Sequence, residues 1–532
     1  MRILKHITVI LACIMLSTSG HAVQIRRGPG YTIPEYILPT DRDDPALWTD
    51  TPHLLTKGAA PGSYAISNIP RTGTVEYPLV LVDFTDLSFI ISDPDSLVRR
   101  YEQIFNQEGY TDTAKYERQG VTYYGANGSV SDYFRAQSYG QYVPKFRIIG
   151  PIHMPKSYSY YGAGKDRNAE QMVKEIFDSI GASILSGYAR NGNIDQLSII
   201  YAGHGENYAG ADASTIWPHA RTISNFNRFG INNLKYACSC ELFWDTDSIL
   251  DGIGTFCHEF SHTLGLPDFY TSASQSDPMA DAAMGFWSIM DYGNYEDGGF
   301  SPVGYTAFEK YSLGWMDLED ITYAGTYTLS DISVKPDPDN DIHSAYRLNT
   351  LSDDQFIILE SHSKTGWYKY HESQGLMVTA VNYYSNDWNQ TPSRVNTNSR
   401  LKRYYILPAD NKYSKYTNDG DLFPYGNVDS ITTLGTPVLA VKDVSNNRDT
   451  LLYPMYSIYN IRREAGKVTF LAGADMPSNV ESPKQQETTV TVYDISGKPV
   501  LKTTTTDPEH ISLPGHGIFI VKYGNVTHKI SR

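Results

Sequence analysis

The stretch HEFSHTLGLPD, from His258 to Asp268, constrains this chain more than any other part of its sequence. On a helix, His258 and His262 project from one face because they are four residues apart, so both rings can bind one metal ion. Gly265 can adopt the left-handed conformation that ends a helix, and Pro267 cannot continue one. The chain is therefore expected to turn and to bring Asp268 back as a third ligand.

Two imidazoles and one carboxylate leave a fourth position open, which is typical of a catalytic zinc site rather than a structural one. We therefore predict one catalytic Zn²⁺ bound by His258, His262 and Asp268. Glu259 is expected to act as general base toward a metal-bound water. A chance HExxH is the alternative, but the glycine and aspartate at the later offsets argue against it.

Several segments resemble one family of proteins. The HExxHxxGxxD pattern followed by SIMDY, Ser288 to Tyr292, resembles metzincin metalloproteases with Asp in place of the commoner third His. The segments that resemble the secreted immune-inhibitor-A-like family are GTFCHEFSHTLGLPDFY, GFWSIMDYG, SVSDYFRAQSYGQY, IWPH and EKYSLGW. This resemblance covers about residues 75–320 and is fainter as far as Leu407–Asp410.

The resemblance implies a metzincin-like zincin domain of the α/β (α+β) class, which hydrolyses internal peptide bonds. It places Met290 beneath the metal and implies that Tyr292 stabilises the oxyanion, with a buried structural tyrosine as the alternative. In a gluzincin, Glu296 or Glu309 would instead supply the third ligand. The Gly265–Asp268 spacing and the Met-containing turn argue against that alternative.

A chain of 532 residues is too long for one ordinary core, so several domains are expected. We predict a signal peptide at 1–22, a leader or short pro-segment at 23–70, a catalytic domain at 71–319, a β-rich accessory domain at 320–475, a linker at 476–487 and a small C-terminal β-sandwich at 488–532. The last segment resembles type IX secretion sorting domains of Bacteroidetes through VYDISGKPV and LPGHGIFIV. A small Ig-like module is the alternative.

The N-terminus has the features of an export signal. Arg2 and Lys5 precede the apolar run Ile7–Leu16, and Gly20 and Ala22 occupy positions that a signal peptidase favours. The run is too short to span a bilayer, and no other stretch is long enough for a membrane helix. We therefore expect a secreted or cell-surface protein that has no membrane-spanning segment and engages a secretion machinery through its C-terminal domain.

The formal charge of −15 disfavours nucleic acid as a partner, since no basic stripe overrides the acidic field. Protein or peptide substrates are the expected partners, and a monomer is expected. A surface-binding protein, either an adhesin or a glycan-binding protein with a vestigial metal site, is the alternative function. The presence of every expected catalytic residue argues against it.

Calcium and a disulfide are further expectations. Oxygen-bearing side chains alternate around a glycine in Asn191–Asp195, which resembles half of a calcium loop, with an ordinary Asn-Gly turn as the alternative. Three cysteines follow the signal peptide, and we expect Cys238 to pair with Cys257. His204 and His219 are left outside the metal set, although either can line a substrate site.

Hydrophobic patterns predict the elements that surround the motif. These are a buried strand at Tyr77–Asp86, an amphipathic helix at Ala169–Ile180, a strand at Gln196–Gly205 and a metal-binding helix at Asp251–Leu264.

Overall fold

The structure is a computed structural model of the chain. It describes two short strands near the N-terminus, residues 67–474 except 113–114, 119, 209–211, 272–280, 372, 389–393, 399, 417 and 446–447, and residues 488–531 except 506–512, 515–516 and 524–525. The predicted signal peptide, most of the predicted leader and the predicted linker lie outside these residues.

The helices are α1 (Pro94–Asn106), α2 (Val130–Gln137), α3 (Tyr158–Asp166), α4 (Ala169–Ile180), α5 (Ala182–Leu185), α6 (Gly254–Leu264), α7 (Ala307–Leu313) and α8 (Ser385–Trp388). The strands are β1 (Gln24–Arg27), β2 (Tyr31–Pro34), β3 (Gly73–Asp83), β4 (Tyr116–Arg118), β5 (Val121–Tyr123), β6 (Tyr142–His153), β7 (Asn193–His204), β8 (His219–Arg228), β9 (Ile231–Leu242), β10 (Glu319–Asp320), β11 (Gly325–Ser330), β12 (Ala345–Asn349), β13 (Gln355–His362), β14 (Gly375–Asn382), β15 (Tyr404–Ile406), β16 (Val441–Ser445), β17 (Arg448–Leu452), β18 (Ser457–Glu464), β19 (Lys467–Gly473), β20 (Thr488–Asp494), β21 (Pro499–Thr505), β22 (Ile518–Tyr523) and β23 (Val526–Ser531).

A five-stranded mixed sheet supports the HExxH helix. Its order is β6-β3-β7-β9-β8, with every pair parallel except the antiparallel edge strand β8. In β3, Leu79 and Leu81 enter one core cluster, whereas Val80 and Val82 enter the other. Both faces of the sheet are therefore covered, which explains the continuous apolar run in this strand.

Helices cover the two faces of this sheet. Met172 and Ile176 of α4 pack in the same cluster as Val80, and Phe256 and Phe260 of α6 pack in the cluster of Leu79. The predicted helix at 169–180 has the predicted bounds. The mixed α/β class is confirmed.

Three predicted elements have different bounds. The strand predicted at 77–86 runs from Gly73 to Asp83, because its pairing with β6 begins at Gly73 and the chain turns after Asp83. The strand predicted at 196–205 is β7, which begins at Asn193. The helix predicted to bind the metal begins at Gly254 and not at Asp251, because the Asp251 N–H donates to the carbonyl of Glu241 and draws this segment beside β9.

The β-rich region after α7 shares a core with the mixed sheet. It contains a sheet of order β10-β12-β13-β14-β15 and a second of order β11-β19-β18. Phe308 of α7 contacts the rings of Phe356 and Tyr404, with centroid separations of 6.3 and 5.0 Å. The described residues up to Ala474 accordingly belong to one compact unit. The domain boundary at 319/320 stays a prediction.

The C-terminal unit, Asp475–Arg532, contains one antiparallel sheet of order β21-β20-β22-β23. Its small core includes Val490, Val492 and Val521. The described strands of this unit form one sheet, and the β-sandwich stays a prediction. Across the described residues of the whole chain, no helix is long and apolar enough to cross a membrane.

Candidate metal centre

The end of α6 determines where the third predicted ligand lies. Gly265 has a φ of 106°, which is strained for a residue with a side chain, and its N–H bonds to the carbonyls of Ser261 and His262. The N–H of Leu266 then bonds to the Ser261 carbonyl at 3.2 Å. The chain reverses at this point, and Asp268 returns beside the helix.

The three predicted metal ligands lie together. Asp268 Oδ1 is 3.2 Å from His258 Nε2 and 3.2 Å from His262 Nε2. Ligands of a tetrahedral zinc ion, each at a bond length of about 2.1 Å, lie about 3.4 Å apart, so the observed separations are close to those of a zinc site. Within the part of the chain that the structure describes, these residues are the only group of three or more His, Cys, Asp or Glu side chains that could hold a metal.

Backbone carbonyls orient both imidazoles. His258 Nδ1 lies 2.7 Å from the carbonyl oxygen of Ile289, and His262 Nδ1 lies 2.8 Å from that of Leu266. Because a carbonyl only accepts, each Nδ1 donates, and each Nε2 is directed at Asp268. In neutral histidines these Nε2 atoms are lone-pair donors, the form that binds a metal ion.

The charges of the group favour a bound cation or proton. Burial lowers the pKa of His262, but the carboxylate of Asp268 outweighs burial and raises this pKa to about 9. Burial raises the pKa of Asp268, but the two histidines outweigh it and hold this pKa well below its ordinary value. A proton on His262 neutralises the group in the metal-free protein, and a divalent ion can take the place of that proton. Two nitrogens and one carboxylate oxygen suit Zn²⁺.

Glu259 has the environment of a proton acceptor. Its side chain is buried, and its Oε2 atom has no hydrogen-bond partner. Burial raises the pKa of Glu259, while the two histidines and a backbone hydrogen bond from Ala220 oppose this shift. The carboxyl group therefore faces strand β8 with one oxygen available.

The SIMDY turn contacts His258 through the Ile289 carbonyl and is closed by its own hydrogen bonds. The N–H of Gly293 donates to the carbonyl of Ser288 at 2.8 Å, which closes the turn. Met290 is fully buried, and its carbonyl accepts the N–H of Phe269 at 2.8 Å. This bond connects the turn to the residue that follows Asp268, so the turn supports two of the three ligands.

The alternative third ligands have other surroundings. Glu309 belongs to the capping box of α7, where its carboxylate accepts from the N–H of Thr306 at 2.6 Å and from the hydroxyl of Ser288. Burial raises the pKa of Glu309 to about 7. Glu296 is buried and lies outside the group of three ligands. The position of Asp268 beside both histidines favours this carboxylate over either glutamate as the third ligand.

Tyr292 lies in the core beside the turn. It is 3% exposed, and its ring packs against Phe286 and Tyr416 with centroid separations of 5.9 and 5.5 Å. Its role at the oxyanion stays a prediction.

The two solitary histidines make structural hydrogen bonds. His204 Nε2 lies 3.0 Å from the carbonyl of Thr246, and His219 Nε2 lies 2.6 Å from the hydroxyl of Tyr236. Neither belongs to the metal group.

The predicted half calcium loop contains an Asn-Gly turn. Asn191 and Gly192 have φ values of 52° and 75°, and reciprocal bonds join Arg190 and Asn193. The geometry is that of the turn alternative. Calcium binding stays untested.

The predicted Cys238–Cys257 disulfide is wrong. Cys238, Cys240 and Cys257 are all free and buried. Cys257 packs on the α6 side of the sheet, whereas Cys238 lies in the other core cluster, 3.4 Å from His219 Nδ1. A disulfide needs two Cβ atoms about 3.8 Å apart and directed at each other, and these thiols are in different layers.

The mixed α/β fold and the group of His258, His262 and Asp268 are compatible with a metallopeptidase, and comparisons with known proteins support one. Residues 185–319, which contain every predicted ligand, match the family model "Immune inhibitor A peptidase M6, catalytic domain". The chain is 26% identical over 316 residues to pre-pro-metalloprotease PrtV of Vibrio cholerae serotype O1, an alignment that covers 48% of this chain and 31% of that protein. It is 24% identical over 291 residues to immune inhibitor A of Bacillus thuringiensis subsp. alesti, an alignment that covers 46% of this chain and 41% of that protein. The chain therefore spans less than half the length of these curated relatives. The likenesses support a metallopeptidase of the immune inhibitor A type.

Sequence reasoning missed the carbonyls of Ile289 and Leu266 that orient the two imidazoles. Every residue has a backbone carbonyl, so no residue type marks these positions. Their neighbourhood in the SIMDY and GLPD segments is the only available signal.

Proposed function

We propose that this protein is an exported zinc-dependent endopeptidase that hydrolyses internal peptide bonds of proteins. The observation that carries the proposal is the position of Asp268 Oδ1, 3.2 Å from the Nε2 atoms of both His258 and His262, with the buried carboxyl of Glu259 adjacent in the sequence. A peptide bond needs a polarised carbonyl, a nucleophile and a proton acceptor, and this group can provide all three.

His258, His262 and Asp268 would hold the zinc ion, which when bound polarises a substrate carbonyl and lowers the pKa of a coordinated water. Glu259 accepts a proton from the attacking water and delivers it to the leaving amine. The raised pKa of Glu259 suits this second step, because burial strengthens its hold on a proton. Tyr292 is proposed as a hydrogen-bond donor to the oxyanion.

The proposal also includes a route out of the cell. Export would use the predicted signal peptide at 1–22, and the C-terminal unit would engage a secretion machinery. The Vibrio relative is named a pre-pro-metalloprotease, which supports a leader or pro-segment at 23–70. Mass spectrometry of the secreted protein tests cleavage of the signal peptide. A single mass that corresponds to a chain beginning at residue 23 would support cleavage, and a chain that still begins at residue 1 would contradict it.

Casein cleavage by residues 23–532 tests the enzymatic proposal. Wild type should cleave, a chelator should stop cleavage, and zinc should restore it. Glu259→Gln should remain inactive while it binds one zinc ion, because this substitution removes the proton acceptor and keeps the three ligands. Asp268→Asn should instead weaken zinc binding.

Two outcomes would contradict the proposal. Activity of Glu259→Gln close to that of wild type would exclude Glu259 as the proton acceptor. A zinc-loaded wild type that cleaves nothing, even after removal of residues 23–70, would favour the alternative of a surface-binding protein.

A further inference from the structure

Of the three predicted metal ligands, Asp268 lies beyond the end of α6. His258 and His262 are positioned by the helix itself, whereas the position of Asp268 depends on the chain that follows Gly265. On the near side of Asp268, two hydrogen bonds of the Leu266 backbone hold this chain to α6. The contacts of the residues on its far side hold the other end of this short segment.

A side-chain amide from the β-rich region bonds to the residue after Asp268. Asn396 is 1% exposed, and its Nδ2 atom donates to the carbonyl of Phe269 and to that of Tyr404, both at 2.6 Å. Its Oδ1 atom accepts from the N–H groups of Arg403 and Tyr404 at 2.9 and 3.1 Å. Both hydrogens and both lone pairs of the amide are used, so its orientation is fixed.

A buried ammonium group makes the next contact along the chain. Lys402 is fully buried, and its Nζ atom donates to the hydroxyl oxygen of Thr271 at 2.5 Å and to the backbone carbonyl of Asn396 at 2.7 Å. Burial of a charged amine costs free energy unless the amine is hydrogen-bonded, so these contacts stabilise its position. We refer to Asn396 and Lys402 together as the clamp.

Phe269 is fixed from two directions. Its ring packs against the rings of Tyr404 and Trp388, with centroid separations of 4.8 and 5.7 Å, and its carbonyl bonds to the clamp. Its N–H donates to the carbonyl of Met290 in the SIMDY turn at 2.8 Å. The residue that follows Asp268 therefore lies between the SIMDY turn and the β-rich region, and directed hydrogen bonds hold it on both sides.

We propose that Asn396 and Lys402 are positioning residues for Asp268, so that the β-rich region completes the metal centre. Both residues lie in the predicted accessory domain at 320–475 and not in the predicted catalytic domain at 71–319. By fixing the backbone after Asp268, they keep its carboxylate beside both imidazoles. The metal then binds to ligands that are already in place, and less conformational entropy is lost on binding. This inference rests on the zinc site of the proposed function.

Competition between a chelator and residues 23–532 for zinc tests the inference without any turnover. Loss of a group that supports metal ligands weakens metal binding by about 10- to 100-fold, and we expect Asn396→Ala to weaken zinc binding by about tenfold. Thr271→Val removes the hydroxyl that accepts from Lys402 and nearly keeps the volume, so it should weaken zinc binding by a smaller factor. This milder variant provides the test if Asn396→Ala does not fold.

Asn382→Ala is the matched control. Asn382 is a fully buried amide of the same region, and its Nδ2 atom donates to the backbone carbonyl of Lys442 at 2.8 Å. Urea unfolding of the zinc-free proteins should show similar losses of stability for Asn382→Ala and Asn396→Ala. Zinc affinity should fall only in Asn396→Ala, because a merely structural amide does not hold the segment after Asp268.

A double-mutant cycle shows whether the clamp acts through Asp268. Asp268→Asn should itself weaken zinc binding, and the addition of Asn396→Ala should then cause little further loss, because the ligand that the clamp positions has already been removed. Losses that multiply in the double variant would show that Asn396 acts on the metal by another route and would refute the inference.

The remaining outcomes separate this inference from the proposed function. If wild type binds zinc and both Asn396→Ala and Thr271→Val bind it equally well, the clamp is refuted and the peptidase proposal stands. An equal loss of zinc affinity in Asn382→Ala would also refute the clamp. A wild type that binds zinc but cleaves no casein contradicts the peptidase, while the zinc titrations still decide the role of the clamp. A wild type that binds no zinc contradicts both.

Discussion

The close contact between α6 and the segment after the SIMDY turn predicts that Gly254→Ala destabilises the metal centre. A Cβ atom at this position would lie 1.9 Å from the Asn294 carbonyl oxygen and 3.0 Å from Gly299 Cα. Both neighbours are backbone atoms, so no side chain can rotate away. The two segments would have to separate by about 1 Å, and the turn that supports His258 would move with them.

Two opposing effects set the magnitude. Alanine is favoured over glycine in a helix by up to about 1 kcal/mol. Forcing an extra carbon into a well-packed interior costs up to about 3 kcal/mol when the neighbours cannot relax. Since the obstruction at Gly254 is backbone, we expect the second effect to dominate and the free energy of unfolding to fall by roughly 2 kcal/mol.

Urea unfolding of the zinc-free protein measures this change, and competition with a chelator measures zinc affinity. Gly187→Ala is the matched control, because a Cβ there meets nothing within 4 Å. Its effect should stay within about 0.5 kcal/mol. Gly254→Ala should also bind zinc more weakly, since His258 is oriented by the Ile289 carbonyl in the turn. Unchanged stability together with unchanged zinc affinity would refute the argument.

Three further predictions follow from buried groups. When residues 23–532 are denatured without reductant and treated with an alkylating reagent, mass spectrometry should detect three added groups, because the three cysteines are free. A single added group would instead indicate that two of the cysteines form a disulfide. Burial outweighs three hydrogen bonds and raises the pKa of Asp251 from 3.8 to about 7. Between these two pH values the unfolded state binds fewer protons than the folded state. The free energy of unfolding should therefore fall by up to about 4 kcal/mol as the pH rises from about 4 to about 7. Asp251→Asn should remove that slope in urea titrations, and an unchanged slope would exclude this carboxyl as its source. Thr306→Ala should cost about 1 kcal/mol in the same assay, because it removes the cap of α7, whereas no loss would show that the Glu309 carboxylate suffices.

The local chemistry of HEFSHTLGLPD determined most of the candidate metal centre. The four-residue spacing of His258 and His262, and the conformational freedom of Gly265, act over eleven consecutive residues and need little help from the rest of the chain. The hydrophobic stripe of the helix at 169–180 likewise predicted its bounds, because a helix that covers a sheet must bury one face. Periodicity is a local property, so the sequence alone contains it.

Contacts between distant parts of the chain were decided only by the tertiary structure. The carbonyl of Ile289, 31 positions from His258, orients an imidazole, and Asn207, 88 positions from Tyr295, holds a phenol. The cysteine pairing was mispredicted for the same reason, since it depends on which layer each thiol enters. Residue types and spacing determine which groups are available and how neighbours in sequence are arranged. Long-range packing determines which of those groups meet. A contact between two elements depends on their relative position and on the direction of their side chains, and local sequence patterns determine neither.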